Sequence, residues 1–192
     1  MIDRNEEIIK IATVLFSENG YDNTSTRELA KAVDLSVAGI YYFFQNKEEI
    51  LFTILNTSMI DFLQTVQSAI NTDDNPQTNI SRIIDCVFKY VVEYKMEIVL
   101  SLKERRRLSP EQLVIIKKLE RDVFILIRNE IERLNKEGGL KDLNLSFLTF
   151  ALLGMINYSH YWFDSKSQLT IEDFVAQTTE LFYNGVLKSL KE

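Results

Sequence analysis

Apolar residues recur at three- and four-residue intervals along almost the whole chain, and no stretch alternates apolar with polar residues between turn signals. That spacing lines one face of a helix and leaves no half-buried strand, so the sequence predicts an all-α fold. With 192 residues, 46% of them hydrophobic, the chain has enough apolar material for a core in one or two domains. Its one cysteine, Cys86, excludes an internal disulfide framework. The start, "MIDRNEEIIK", is acidic and helical in pattern, unlike a basic region leading into an apolar leader core. Apolar runs such as Leu152–Ile156 fall far short of the roughly 20 residues a membrane span needs. A cytoplasmic protein without a membrane span is expected. The net charge of −6 argues against coating nucleic acid through bulk positive charge and leaves room for a small reading surface.

Helix starts are crowded near the N-terminus. Ile8, Ile11, Ala12, Leu15 and Phe16 form one stripe, from about Asp3 to Glu18, closed by Asn19-Gly20. Ser25 and Glu28 have the spacing of a capping box, and Leu29, Ala30 and Val33 give the short second helix its inner face. Ser36 caps a third, anchored by Ile40, Tyr41 and Phe44, and Asn46 with Glu49 opens a fourth running to about Ile70. The polar stretch "NTDDNPQTN", Asn71 to Asn79, marks a loose boundary. Beyond it the spacing predicts helices over 80–94 and 97–103, a long one opened by Ser109-Pro110 and stopped near Gly138-Gly139, one from Leu145 to Phe163 after Asn144, and a last from Ile171 to about Leu190 after Thr170. About nine helices result.

Two short helices joined by a tight turn, the second beginning in small residues, have the layout of a helix-turn-helix that puts the tip of its second helix into the major groove of DNA. Ser36 offers a hydroxyl and helix-start N–H groups to a phosphate, and Val37, Ala38 and Gly39 allow close approach to base edges. Tyr41 and Tyr42 bring phenols to the backbone, Lys47 adds a charge-assisted phosphate contact, and Thr26 and Arg27 open the preceding helix towards the same duplex. Each feature taken singly also fits an ordinary helical bundle, in which a Tyr-Tyr pair is packing. Together, "FSENGYDNTSTRELAKAVDLSVAGIYYFFQNKEEIL", Phe16 to Leu51, resembles the N-terminal DNA-binding domain of the TetR family of transcriptional regulators, above all in "IYYFFQNKEEIL". The resemblance implies a helix-turn-helix domain over 1–47, an effector-binding and dimerisation domain over 48–192, and DNA contacts from Thr26, Arg27, Ser36, Val37, Ala38, Gly39, Tyr41, Tyr42 and Lys47. Phe43 stands where many members have a backbone-touching His, so that contact is not expected. Asp34 stands where a Gly is usual, which Asp tolerates better than most residues. Residues 1–50 hold five Lys/Arg against nine Asp/Glu, so few phosphates are neutralised and two heads are needed for useful affinity.

The last two helices carry more apolar surface than one side of a small domain covers. Phe150, Ala151, Gly154 and Met155, with Phe174, Thr178, Leu181 and Phe182, are expected either as core or, as the resemblance implies, as half of a four-helix bundle joining two subunits in a homodimer. Met59, Phe62, Phe88, Met96, Val99, Leu102, Phe124, Ile127, Phe147, Tyr158 and Trp162 are candidates to line a pocket for a hydrophobic effector, and periodicity does not separate liners from fillers. The run "KERRRLSP" is either a solvated face or a place where Arg105, Arg106 and Arg107 receive an anionic head group. Its setting is loosely similar to the fatty acyl-CoA-responsive subset of TetR regulators. His160 and Cys86 are the sole members of their types, so no metal site, cofactor or nucleophile pair is expected, and the carboxylates sit at helix starts or beside Lys and Arg. The expectation is a ligand-responsive repressor on a palindromic operator, not an enzyme. The alternative is a helical ligand-binding or adaptor protein without DNA binding.

Overall fold

The structure is a computed structural model that describes residues 4–137, 140–161 and 170–187, with the side chain of His160 outside the description. Among these residues the chain forms nine α-helices: α1 (Arg4–Asn19), α2 (Thr26–Ala32), α3 (Val37–Phe43), α4 (Lys47–Ser68), α5 (Pro76–Glu93), α6 (Lys95–Glu104), α7 (Pro110–Lys136), α8 (Leu145–Asn157) and α9 (Ile171–Val186). Single 3-10 turns follow α6 (Arg105–Arg107) and α8 (Tyr158–Tyr161). A lone antiparallel bridge pairs Leu140 with Leu187. The Gly138-Gly139 stop and Trp162 lie outside the described residues, whereas α8 ends at Asn157 and α9 at Val186, short of the expected Phe163 and Leu190, where a 3-10 turn and the extended Leu187 take over.

The caps do what their residue types dictate. Ser25 and Glu28 form a reciprocal box, as do Thr170 and Asp173. Ser36 accepts from Gly39 N at 3.0 Å, Asn46 from Glu49 N at 2.8 Å and Asn144 from Phe147 N at 3.0 Å. Each such cap is worth about 1 kcal/mol to its helix. Gly20 closes α1 at φ 87, and Asp34 makes the α2–α3 turn at φ 53. Two starts differ from the sequence reading, α6 beginning at Lys95 and not at Glu97. α5 begins at Pro76, four residues before the expected Ile80, because Asn75 caps it by accepting from Thr78 N at 2.8 Å and Pro76 gives up an N–H that would have had no partner.

Packing divides the chain into two compact units, one taking the chain up to Ile60 together with Tyr94–Lys118, the other Asp61–Glu93 with the chain from Leu119 onward. This differs from a division at 47/48. In the first unit Ile8, Ala12, Phe16, Leu29, Ala30, Ile40 and Phe44 of the helix-turn-helix share a core with Ile50, Leu51, Ile54 and Leu55 of α4, and with Leu100 of α6, Leu108 of the turn before α7 and Ile116 of α7. Helices of 16, 7 and 7 residues bury too little surface alone, so the later segment completes their core. Each fully buried Ile, Leu or Phe contributes roughly 1.5–3 kcal/mol of apolar burial.

In the second unit α5 packs on α8 and α9, which also pack on each other. The inner face of α5 is Ile80, Ile83, Ile84, Val87, Phe88 and Val91, met by Leu148, Leu152 and Ile156 of α8 and by Phe182 and Val186 of α9. A buried polar clasp lies in the same unit. Glu130 accepts from Asn79 Nδ2 at 2.9 Å and from Arg133 Nη1 at 2.8 Å, while Asn79 also exchanges hydrogen bonds with the Asn71 backbone. Arg133 Nη2 reaches the carbonyls of Thr72 and Asp74. The carboxylate is thus buried with its partners, the condition under which a buried charge is tolerated.

Candidate functional site

Ile40 is fully buried while its neighbours point outward, so α3 is held to the core along one edge and shows the other to solvent. Ser36, Ala38, Tyr41 and Tyr42 are exposed, Tyr42 by 84%, and Val37 and Gly39 are half-buried. Because Ser36 Oγ accepts from Gly39 N, its hydroxyl proton remains for an outside acceptor. Tyr42 is braced edge-on by Phe43, ring centres 5.0 Å apart. On α2, Arg27 is exposed and Thr26 half-buried. Thr24 is buried and donates to the carbonyls of Leu15 at 3.1 Å and Gly20 at 3.0 Å, so it fixes the turn into α2.

Lys47 stands differently from the free phosphate ligand its position led us to expect. It is half-buried, its ammonium donates to the Tyr21 carbonyl, and it lies 4.1 Å from the centre of the Tyr21 ring. Burial lowers its pKa from the ordinary lysine value, partly offset by the Asp22 carboxylate. In the DNA-free chain this cation is held by the head itself.

An exposed, donor-bearing helix tip mounted by one buried edge on a short helix pair fits the comparisons with known proteins. Residues 8–54 match the model of the bacterial regulatory proteins of the tetR family, and residues 73–186 match the tetracyclin repressor-like C-terminal domain. This chain belongs to the TetR family. It is 28% identical over 83% of its length to the HTH-type transcriptional regulator HbdR of Aromatoleum sp. (strain CIB), 69% of which is covered. It is 35% identical, over 46% of its length and 45% of the other, to IcaR of Staphylococcus epidermidis, a negative regulator of the biofilm operon icaADBC. Its fold matches AibR, solved with isovaleryl coenzyme A and operator DNA, at a TM-score of 0.85 and 25% identity, covering 94% of this chain and 98% of that one. The protein is therefore a DNA-binding transcriptional regulator. An adaptor that had lost groove reading has no need of the bare α3 tip seen here.

In this TetR-family chain the expected effector residues scatter. In the first unit Met59 is half-buried against the head's core, Val99 is half-buried, and Met96 and Leu102 are exposed. Arg105 is half-buried and Arg106 exposed. Arg107 is already committed to Glu104 and Asp22, so it does not wait for an anion. In the second unit Phe88 and Ile127 are fully buried as core, Phe88 stacked on Phe174 with centres 4.4 Å apart. Phe62 packs on Tyr90 at 4.9 Å. Phe124 packs on Phe150 at 4.7 Å, and Phe147 and Tyr158 are exposed, which ties these three to the outer surface of α8 and the turn after it.

The expected interface residues also divide. Phe150, Gly154 and Leu181 are exposed and Ala151 and Met155 half-buried. Thr178 and Phe182, at 5% and 3% exposure, are core of their own subunit, and Phe174 is largely taken up by Phe88. The reason is the 3.6-residue turn: residues four apart share one edge of α9, and that edge faces α5.

Three features went unread in the sequence. An open cleft of about 670 Å³ is lined by Asn75, Thr78, Ser81, Arg82, Tyr183 and Leu187 among others, none an expected effector residue. Two buried polar atoms, Ser159 Oγ in the second unit and Asn56 Oδ1 in the first, have no hydrogen-bond partner among the described residues. Tyr21 carries two cations near its ring, Lys47 and Arg107, and nothing in the sequence joins the three.

Proposed function

We propose that the chain is a cytoplasmic homodimeric repressor that grips a palindromic operator with two copies of the α3 tip and releases it when a hydrophobic small molecule enters the C-terminal helices. The observation that carries this reading is the exposed run Ser36, Ala38, Tyr41 and Tyr42 on a helix whose opposite edge is anchored by Ile40. DNA contacts are assigned to Thr26, Arg27, Ser36, Val37, Ala38, Gly39, Tyr41 and Tyr42, with Lys47 joining them once it leaves Tyr21. Phe147, Phe150, Gly154 and Leu181 give the second unit an exposed apolar surface on α8 and α9, which a second copy covers. Selection from a random duplex library, read together with light scattering, tests this: the expected result is a two-fold-symmetric site bound by a dimer. A monomer, or a chain that enriches no duplex, refutes it.

For the effector, a coenzyme A thioester is favoured by the likeness to AibR and by Arg106, an exposed guanidinium of the basic run. Native mass spectrometry of the freshly purified protein is expected to show a thioester-sized adduct that dissociates the operator. A retained compound without a thioester removes this assignment.

A further inference from the structure

The fork of Arg107 joins parts of the first unit that lie 85 residues apart in sequence. Its Nε donates to Glu104 Oε2 at 2.5 Å, closing the end of α6, and its Nη2 donates to the carboxylate of Asp22, in the turn between α1 and α2. The guanidinium carbon also stands 4.9 Å from the centre of the Tyr21 ring, the ring that Lys47 covers at 4.1 Å. Next to it, Leu108 is buried in the same core as Phe16 and Tyr21.

We infer that Arg107 is a positioning residue for DNA reading: by binding Asp22, Glu104 and Tyr21 together it sets the angle at which the helix-turn-helix is held on the α6–α7 junction. This rests on the dimeric operator reading above. A stability role explains the Asp22 arm poorly. Asp22 is 69% exposed, and a solvated pair of this kind adds little to folding. Orientation is another matter. A planar fork that engages two carboxylates and an aromatic ring admits one geometry, whereas apolar contacts such as those of Leu108 resist separation more than rotation. Arg107 also disfavours the charged form of Lys47 through their like charges, so its location bears on the cation that must turn outward to meet phosphate.

The test uses the full chain and duplexes in which its selected half-sites are separated by a series of spacers. The wild type is expected to prefer one spacer. In Arg107→Ala the preference for half-site sequence stays while affinity at the best spacer falls about tenfold, the loss of roughly one charge-assisted hydrogen bond, and neighbouring spacers are bound equally well. Arg107→Lys keeps the charge, loses the fork and behaves like the alanine variant. Asp22→Asn, at an exposed carboxylate, gives a smaller broadening and serves if Arg107→Ala fails to fold. Variants that keep the sharp wild-type spacer profile overturn this inference alone. So does loss of half-site sequence preference, which marks direct DNA contact or a damaged fold. A wild type that enriches no duplex overturns the operator reading and this inference with it.

Discussion

The α3 tip and the exposed surface of α8 and α9 are both made of side chains that the subunit leaves uncovered, yet of opposite kinds. The tip shows Ser36, Ala38 and the phenols of Tyr41 and Tyr42, small or hydrogen-bonding groups on a seven-residue helix. The other shows Phe147, Phe150, Tyr158 and Leu181, the last 68% exposed, with open space at Gly154. The first keeps its water until a hydrated, charged partner replaces it. The second gains by losing water to another apolar surface. Exposure alone therefore does not define a site; the chemistry of what is exposed tells which partner it awaits.

The comparison breaks most visibly at α9. Leu181→Arg is expected to give a monomer by light scattering and to weaken operator binding about 100-fold or more, since each head then binds without its twin. Unchanged mass would show that this surface does not join subunits. On the other side, Tyr42→Ala is expected to leave the dimer intact, weaken operator binding about 10- to 100-fold, and move the unfolding midpoint by about 2 °C or less, because so exposed a ring adds little to the fold. Salt sharpens the contrast further. With Arg27 and Lys47 as the cations of the assigned contacts in each head, log affinity should fall with log salt at a slope of about −3 to −4 in a titration, and a slope near −10 would mean phosphate contacts elsewhere. Gly39→Ala should move stability and binding in opposite directions. A Cβ there meets Leu35 Cβ at 3.4 Å and Ser36 Oγ at 3.5 Å, so it fits and stabilises the helix by about 0.5–1 kcal/mol, while the added methyl narrows the approach to DNA and weakens binding in the same gel-shift series.

The smallest effect is expected away from both surfaces. Burial raises the pKa of Glu97 on α6, so its folded form prefers the proton, and stability is full below the ordinary glutamate value and declines as pH rises through the raised one. Glu97→Gln removes that decline. Thermal melts should show the variant slightly more stable at neutral pH and equal to wild type well below pH 4.5, the ordinary glutamate value. A variant less stable at neutral pH would mean that the carboxylate has a partner.

Much of the fold was legible because helix starts are local. Ser25 with Glu28, Ser36, Asn46, Ser109 with Gln112 and Thr170 with Asp173 are read within four residues and form the hydrogen bonds expected of them. Asn75-Pro76 has the same form and escaped notice inside a polar stretch. What was not legible depends on which neighbour a residue meets. Thr178, Phe182 and Leu181 lie on one short length of α9, and whether each faces α5 or solvent is set by packing between helices, so only Leu181 remained for a partner. Arg107 looked like a spare cation because its carboxylate at Asp22 is remote in sequence. Likewise Thr24, part of the motif that marked the reading head, proved to be a bolt for the preceding turn.

The Glu130 clasp bears on a segment that composition alone marks as slack. Asn71 to Asp74 has the look of a tether, but Asn79 and Arg133 grip its carbonyls and a buried carboxylate holds both. The loop after Ser68 is thus tied at the carbonyls of Asn71, Thr72 and Asp74 to α5 and α7. Lengthening this joint by a few residues would act like fitting a spring where the molecule has a rivet.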